Sequence, residues 1–247
     1  MTTLARRGTG SRRSSRVGRG LFLTFEGIEG SGKTSQCQAL ANTLRLMGYR
    51  VLETREPGGT RLAERTRDLL LAPPSKDSRG EIWTPAGEAA LIFACRSQHI
   101  THMIRPALDS GTIVLCDRYA DSTLAYQGYG RGLSIQELTR FQRFISRGLT
   151  PDKTFFFDLP VQVGLARRRQ AKDLNRLDLE TFAFHERVRK GFRRLAKDHP
   201  RRIITLNAHL PVDTLAEQVQ AIVTPLLKSV ARPAKRYSRG RQATASH

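Results

Sequence analysis

Cysteine is scarce in this chain: Cys37, Cys95 and Cys116 are the only three, an odd number, each among apolar neighbours. A disulfide framework is excluded, and the cysteines read as buried thiols of a reducing, cytoplasmic compartment. Metal-ligand spacing is missing too, with no C-x-x-C and no H-E-x-x-H, and His99 and His102 lack partners at useful intervals. Hydrophobic residues make up 39% of the chain, and no apolar run approaches the ~18 residues a membrane-spanning helix needs. Acidic residues are also few, 22 against 42 Lys and Arg, for a net charge of +20.

The location of that charge decides what it means. Residues 1–20 carry Arg6, Arg7, Arg12, Arg13, Arg16 and Arg19, and residues 228–247 carry Lys228, Arg232, Lys235, Arg236, Arg239 and Arg241, with no acid in either segment. Twelve of the 20 charges therefore lie in two Ser/Gly/Arg-rich tails, and about +8 remains for the body. The tails hold too little apolar surface to offset the entropy of ordering and are expected to be disordered. Non-specific binding to nucleic acid or anionic surfaces is open to them. A transit peptide is the alternative for the first, but Gly8, Gly10, Gly18 and Gly20 weaken the amphipathic helix it needs.

What the chain does contain is organised around residues 21–34, LFLTFEGIEGSGKT. Residues 21–26 form an apolar run fit for a buried strand. It feeds Gly27, Ile28, Glu29, Gly30, Ser31, Gly32, Lys33 and Thr34, which match G-x-x-x-x-G-K-[ST]. In that phosphate-binding loop, glycines let successive N–H groups face phosphate oxygens and the following helix adds its positive end. Lys33 can reach the β- and γ-phosphates of a nucleotide held there, and the Thr34 hydroxyl can ligate Mg²⁺; the loop alone does not separate kinases, GTPases and motor-type ATPases.

Strand and helix patterns then alternate. A helix over 35–47 ends at Gly48, a strand at 50–54 delivers Arg55, and a helix spans 62–71. A proline-containing loop, 72–85, leads to one long helix over 86–109, closed by Gly111 and carrying Arg96 in an apolar stretch. The strand 112–116 delivers Asp117 and Arg118; a Tyr/Gly-rich segment covers 122–132; Ser134 and Glu137 make a capping box for a helix to Arg147. The strand 153–159, a helix over 160–171 with Arg167, Arg168 and Arg169, a polar break at 172–175, and a helix with the stripe Phe184, Val188, Phe192 and Leu195 follow. A strand at 203–206 and a helix over 212–227 close the chain. The pattern predicts an α/β fold: a parallel five-stranded P-loop sheet with helices on both faces, in one domain over 21–227. Ligands bind such sheets beyond the carboxyl ends of the strands, where the phosphate loop, Arg55 and Asp117-Arg118 converge.

N-K-x-D is absent, as is D-x-x-G after the third strand, which argues against a GTPase. Asp117 suits the acidic partner that holds Mg²⁺ beside Thr34, the alternative being a helix N-cap or a partner of Arg118. Arg55, Arg96 and Arg118 come from separate elements and Arg167 to Arg169 from another, so one group suits an acceptor phosphate and the other the transferring phosphoryl group. The arginine run also reads as a solvated helix face. No histidine or other base stands beside these arginines in the sequence, which fits an acceptor that is itself a phosphate, already ionised near neutral pH.

FEGIEGSGKT, TREPGGT, CRSQH, DRYADSTLAYQGYGRG, TPD and the arginines before NRLD occur in the order and spacing of thymidylate kinases, and over 21–227 the chain resembles that family. The resemblance implies ATP and dTMP as substrates, Mg²⁺ as cofactor and a homodimer. It also implies that Glu29 meets the dTMP 3′-hydroxyl, that Arg55 and Arg118 hold its phosphate, that Arg96 bonds the thymine edge, and that Thr123 and Tyr126 lie against base and sugar. Gly30 stands where eukaryotic-type members carry a loop arginine, so the bacterial pattern applies, with Arg167 and Arg169 acting from a lid at about 165–178. The chain departs from the family twice. Ile92 stands where an aromatic usually stacks on thymine, so either a local shift of the helix lets the neighbouring Phe93 stack or base stacking is weaker, and Ala171 with Lys172 stands where a third lid arginine often falls.

Two rivals remain at this level: a P-loop kinase acting on a hydroxyl, such as a deoxynucleoside kinase, and a nucleic-acid binder driven by the tails. Removing residues 1–19 and 230–247 separates the second rival from a kinase. Phosphoryl-transfer turnover measured by ADP release is expected to stay within about twofold of the full chain, since the tails hold none of the motif residues, whereas a tail-driven binder loses its function.

Overall fold

In the computed structural model, which describes residues 19–73, 81–170 and 174–230, β1 (Phe22–Glu26) lies at the centre of a five-stranded sheet. Around it stand β2 (Val51–Arg55), β3 (Ile113–Asp117), β4 (Lys153–Asp158) and β5 (Ile203–Asn207), in the order β2-β3-β1-β4-β5. Every pairing is parallel. Near-continuous apolar runs such as Phe155, Phe156 and Phe157 reflect burial on both faces.

Period-two alternation sorts the side chains. Leu23, Phe25, Ile113, Leu115, Phe155 and Phe157 join the core with Leu40 and Leu44 of α1 (Lys33–Leu46) and Leu215 and Val219 of α9 (Val212–Val223). On the opposite face Phe22, Val114 and Cys116 pack against Ile100, Ile104 and Leu108. There, beyond β1, α8 (Phe182–Asp198) covers β4, with Phe192 stacked on Phe156 at 5.3 Å between ring centroids. Phe184, Val188, Phe192 and Leu195, the expected stripe, are all buried. So are Cys37, Cys95 and Cys116, whose thiols burial pushes up, leaving them inert at neutral pH.

The helix expected over 86–109 is three pieces: α3 (Pro85–His99), a π-helical turn (Ile100–Ile104) and α4 (Arg105–Asp109). Pro106 lies early in α4; it has no N–H to donate to the carbonyl four residues back and its ring would clash with that carbonyl, so the wider turn precedes it. The Tyr/Gly-rich segment, left without a regular assignment from sequence, is helical: α5 (Ala120–Thr123) continues into a π-helical stretch, Leu124–Gly130. Side-chain caps close α2 (Arg61–Leu71) with Thr60, α3 with Thr84, α6 (Ile135–Ser146) with Ser134, and α8 with Thr181.

The domain reaches slightly further than 21–227. Gly20 N–H donates to Leu108 O at 2.8 Å, the final 3₁₀ turn runs Thr224–Ser229, and Val230 is buried. Residues 228–230, expected in the tail, thus pack with the domain. The rest of both tails, residues 1–18 and 231–247, lies outside the described residues, as do 74–80 and 171–173.

Phe192→Ala removes a ring that touches both Phe156 and Tyr126. Urea unfolding is expected to show a loss of about 3–5 kcal/mol, with Phe192→Leu losing much less.

Candidate active site

The sheet register builds the site before any side chain is considered. Arg55, Asp117 and Phe25 sit side by side across β2, β3 and β1, and the ladder continues with Glu56 N–H to Asp117 O at 3.0 Å and Arg118 N–H to Phe25 O at 2.9 Å. One row therefore turns Arg55 and Asp117 toward α1 and Thr34. The next row turns Glu26 and Glu56 toward α3 and α5.

The phosphate loop lies between them. Gly27, Gly30 and Gly32 have φ of 143°, 70° and 86°. Gly32 caps α1 without a side-chain hydrogen bond, in contrast to the four helices above. The first N–H groups of α1 are thereby left for an anion. Lys33 donates to Ile28 O at 2.7 Å, and its amine is lowered to about 8, first by burial and then by Arg118. Gly30 packs directly on Gly164 of α7 (Val161–Arg169): a Cβ on Gly30 would lie 2.3 Å from Gly164 O. This backbone contact sets Arg167 above the loop, its Nη1 donating to Gly30 O at 3.3 Å. Arg169, on the same helix, is exposed, while Arg168 pairs with the buried Asp178.

On the α1 side Thr34 Oγ1 donates to Asp117 Oδ2 at 2.5 Å, and Asp117 Oδ1 is buried without a hydrogen-bond partner. A hydroxyl and a carboxylate with an unspent buried oxygen form a suitable oxygen donor set for Mg²⁺. Arg55 lies beside them in a cleft of about 370 Å³ that also takes in Glu64, its ion-pair partner at 2.8 Å.

On the other side is a second cavity, about 50 Å³, lined by Pro57, Ile92, Arg96, Arg118, Thr123, Tyr126, Gln127 and Leu177 among others. Typical ligand pockets measure ~300–1,000 Å³, so the cavity as it stands is smaller than a nucleotide needs. Arg118, at φ 70°, is the hinge of this wall. A non-glycine residue in that region is strained, and the strain is held by neighbours: Glu26 accepts from Tyr119 N–H at 2.7 Å and from Ser122 Oγ at 2.5 Å. Burial, with Asp121 adding to it, pushes the Glu26 carboxyl up to about 7. So fixed, Arg118 donates to Gly27 O at 2.8 Å and Glu29 Oε1 at 3.0 Å, with Tyr126 against its guanidinium.

Glu29 accepts from Tyr126 Oη at 2.6 and 2.7 Å. Burial works to raise its carboxyl, but Arg118, His185, Lys33 and Tyr126 outweigh it and hold it far below the usual carboxylate range. Arg96 is 1% exposed and already engaged, donating to Glu56 (2.5 Å), Gln142 (2.8 Å), Tyr119 O (3.1 Å) and Thr123 (2.8 Å). Those bonds use four of its five N–H groups, leaving one on Nη1.

The structure thus gathers Arg96, Arg118, Thr123 and Tyr126 around the small cavity, with Glu29 bonded to Arg118 and Tyr126, and Thr34, Arg55 and Asp117 around the larger cleft. Phe93 is not in the cavity wall. It packs under α6 against Phe141, 4.8 Å between centroids, while Ile92 faces the cavity, because neighbouring helix positions point about 100° apart. The expected stacking role of Phe93 is corrected accordingly. Two residues escaped the sequence reading. Arg67 of α2 donates to Pro57 O at 2.9 Å and is influenced by Arg55 and Arg118, yet in a helix with Arg61 and Arg65 it reads as solvated surface. His185 approaches Glu29 from α8, and no spacing in the sequence links the two.

A parallel sheet in this order, with a phosphate loop after its central strand and an arginine-walled cavity at the same edge, defines a P-loop kinase of nucleoside monophosphate kinase architecture. The thymidylate kinase family model matches residues 25–219. The thymidylate kinase of Thermomicrobium roseum is 51% identical over 208 residues, covering 84% of this chain and 96% of that protein. That of Pseudomonas fluorescens is 46% identical over 209 residues, covering 85% and 97%. A crystal structure of thymidylate kinase from Ehrlichia chaffeensis superposes with a TM-score of 0.66 at 32% identity, covering 83% of this chain and 99% of that one. The chain belongs to the thymidylate kinase family. No helix among the described residues is long and apolar enough to cross a membrane.

Lys33 gives the site a pH signature independent of substrate. Between about pH 8 and the ordinary lysine range the unfolded chain holds a proton that the folded chain has released, so stability rises with pH there. Urea unfolding at pH 7.5 and 9.5 is expected to show the wild type gaining relative to Lys33→Met as pH rises; parallel values at both pH would contradict the lowered amine.

Proposed function

We propose that the protein transfers the γ-phosphoryl group of MgATP to dTMP, giving dTDP and ADP for dTTP synthesis. One observation carries the reading: Arg118, held in its strained turn, forms the shared wall between the phosphate loop and the small cavity, touching Gly27 O, Glu29 and Tyr126. A group that faces both compartments suits a reaction between two phosphates.

Gly27, Ile28, Glu29, Gly30, Ser31, Gly32, Lys33 and Thr34 form the ATP cradle, with the uncapped start of α1 and the Lys33 amine facing the phosphates. Mg²⁺, held by Thr34 and Asp117, neutralises phosphate charge when bound. Glu29, Arg55, Arg96, Arg118, Thr123 and Tyr126 take dTMP, with Ile92 in the wall where the base lies. Arg67 adds a further cation behind Arg55. The acceptor phosphate is already ionised, so no proton has to be removed; Lys33, Arg118, Arg167 and Arg169 act by positioning and by spreading the charge of the transferring group. The small volume of that cavity, with Leu177 in its wall, and the Gly30–Gly164 contact support a lid over 165–178 that opens to admit substrate.

The protein acts as a cytoplasmic homodimer in this reading. Supporting the dimer, Phe141 and Phe144 of α6 are 46% and 76% exposed and stack on each other beside an apolar cleft of about 280 Å³, a face a second copy would cover. The basic tails bind nucleic acid only non-specifically.

ADP release from MgATP with dTMP, dUMP, dCMP, thymidine or no acceptor tests the assignment. Strong turnover is expected with dTMP alone, and Arg55→Ala should lower kcat/KM for dTMP by about 10²-fold through loss of a charged phosphate contact. Equal turnover without acceptor, or a preference for thymidine, would sink it.

A further inference from the structure

His185 is fully buried on the first turn of α8, and neither ring nitrogen makes a hydrogen bond of normal geometry, its one polar approach being to Glu29, whose carboxyl it helps hold low. An imidazole buried in that state is poorly compensated for its desolvation, a cost that a phenylalanine of similar shape would avoid. The polar ring is not spent on the surrounding core, where Phe184 meets it edge-on at 5.5 Å. Its nearest charged neighbour is Glu29 of the phosphate loop, with Nδ1 3.4 Å from Oε2. Glu29 Oε1 already receives Arg118 and Tyr126, whereas Oε2 receives Tyr126 alone, so Oε2 has a lone pair to offer. An approach of about half an ångström converts the contact into a hydrogen bond.

The place of His185 in the chain suggests what drives that approach. α8 begins four residues after Asp178, where the lid segment ends, and that segment is tethered by Arg176 to Glu88 at 2.8 Å and to Leu71 O by its backbone. Leu177 of that segment lines the small cavity, so one wall of the cavity continues along the chain into the first turn of α8.

We propose that His185 is a positioning residue for Glu29, its Nδ1–H closing on Oε2 when substrate fills the cavity, so that the carboxylate is aimed at the acceptor nucleotide and the lid segment is linked to the phosphate loop. The proposal rests on the reading of Glu29 as an acceptor contact. It adds a third donor, from α8, to a carboxylate otherwise held by Arg118 and Tyr126.

Two measurements on the full chain test it. In ¹⁵N spectra of the histidine rings, the His185 signals, identified by their loss in His185→Gln, are expected to show a protonated Nδ1 that shifts on addition of dTMP and in Glu29→Gln. Insensitivity to both would overturn the contact. In steady-state kinetics His185→Phe is expected to raise KM for dTMP about 10-fold, leave KM for MgATP within twofold and keep the melting temperature within a few degrees, while His185→Gln recovers most of the loss. A wild-type KM for dTMP in His185→Phe, or equal effects of the two variants, would overturn it. If the wild type shows no dTMP-dependent turnover, the functional reading fails, and the spectra still decide the contact.

Discussion

Four ionisable side chains, Glu26, Glu29, Lys33 and Arg118, are gathered at the carboxyl end of β1 with little or no access to water. Each charge there is tolerable only because the others are in place. Arg118 is central. Its backbone is strained, its guanidinium bonds Glu29 and Gly27 O, and its repulsion helps lower the Lys33 amine. Glu26 holds the turn by accepting from Tyr119 and Ser122, and Asp121, next to Ser122, pairs with Arg202 beside β5 at 2.6 Å. The buried ionic network thus extends from the sheet edge into the phosphate loop, and the fold supplies the rigidity that preorganised phosphoryl transfer needs.

A second constraint is steric. The contact between Gly30 and Gly164 allows α7 to lie directly on the phosphate loop, which places Arg167 of that helix against Gly30 O. Any side chain at either position would push α7 away and carry Arg167 with it. The position of α7 therefore depends on the absence of two Cβ atoms. The residues that precede α8 are fixed separately, with Arg176 paired to Glu88 and Leu177 in the small cavity wall.

Much of this was legible in the residues. Alternating apolar runs and amphipathic stretches implied the parallel sheet, and the loop from Gly27 to Thr34 identified its own chemistry because backbone N–H groups, not distant side chains, do the binding. The pairing of Thr34 with Asp117 follows from the strand order. Other features were not legible. Pro106 sits in a pattern that reads as continuous helix, and only the three-dimensional path shows the π-helical turn before it. The neighbours Ile92 and Phe93 are both apolar, and the rotation of α3 against α6 alone decides which of them faces the cavity.

What the sequence by itself determined is the set of local devices: the phosphate loop, the strand ends that carry Arg55, Asp117 and Arg118, and the helices that cover the sheet. Each depends on residues close together in the chain, so its signal survives without a fold. Tertiary structure decided the partners. Glu29 meets His185 from 156 positions away, Arg96 is committed to Glu56 and Gln142, and Arg67 turns inward among other guanidinium groups. These assignments depend on which helix faces cross which strand ends. They arise from the burial of charge in a shared low-dielectric space, a property of the packed chain and of no single segment of it.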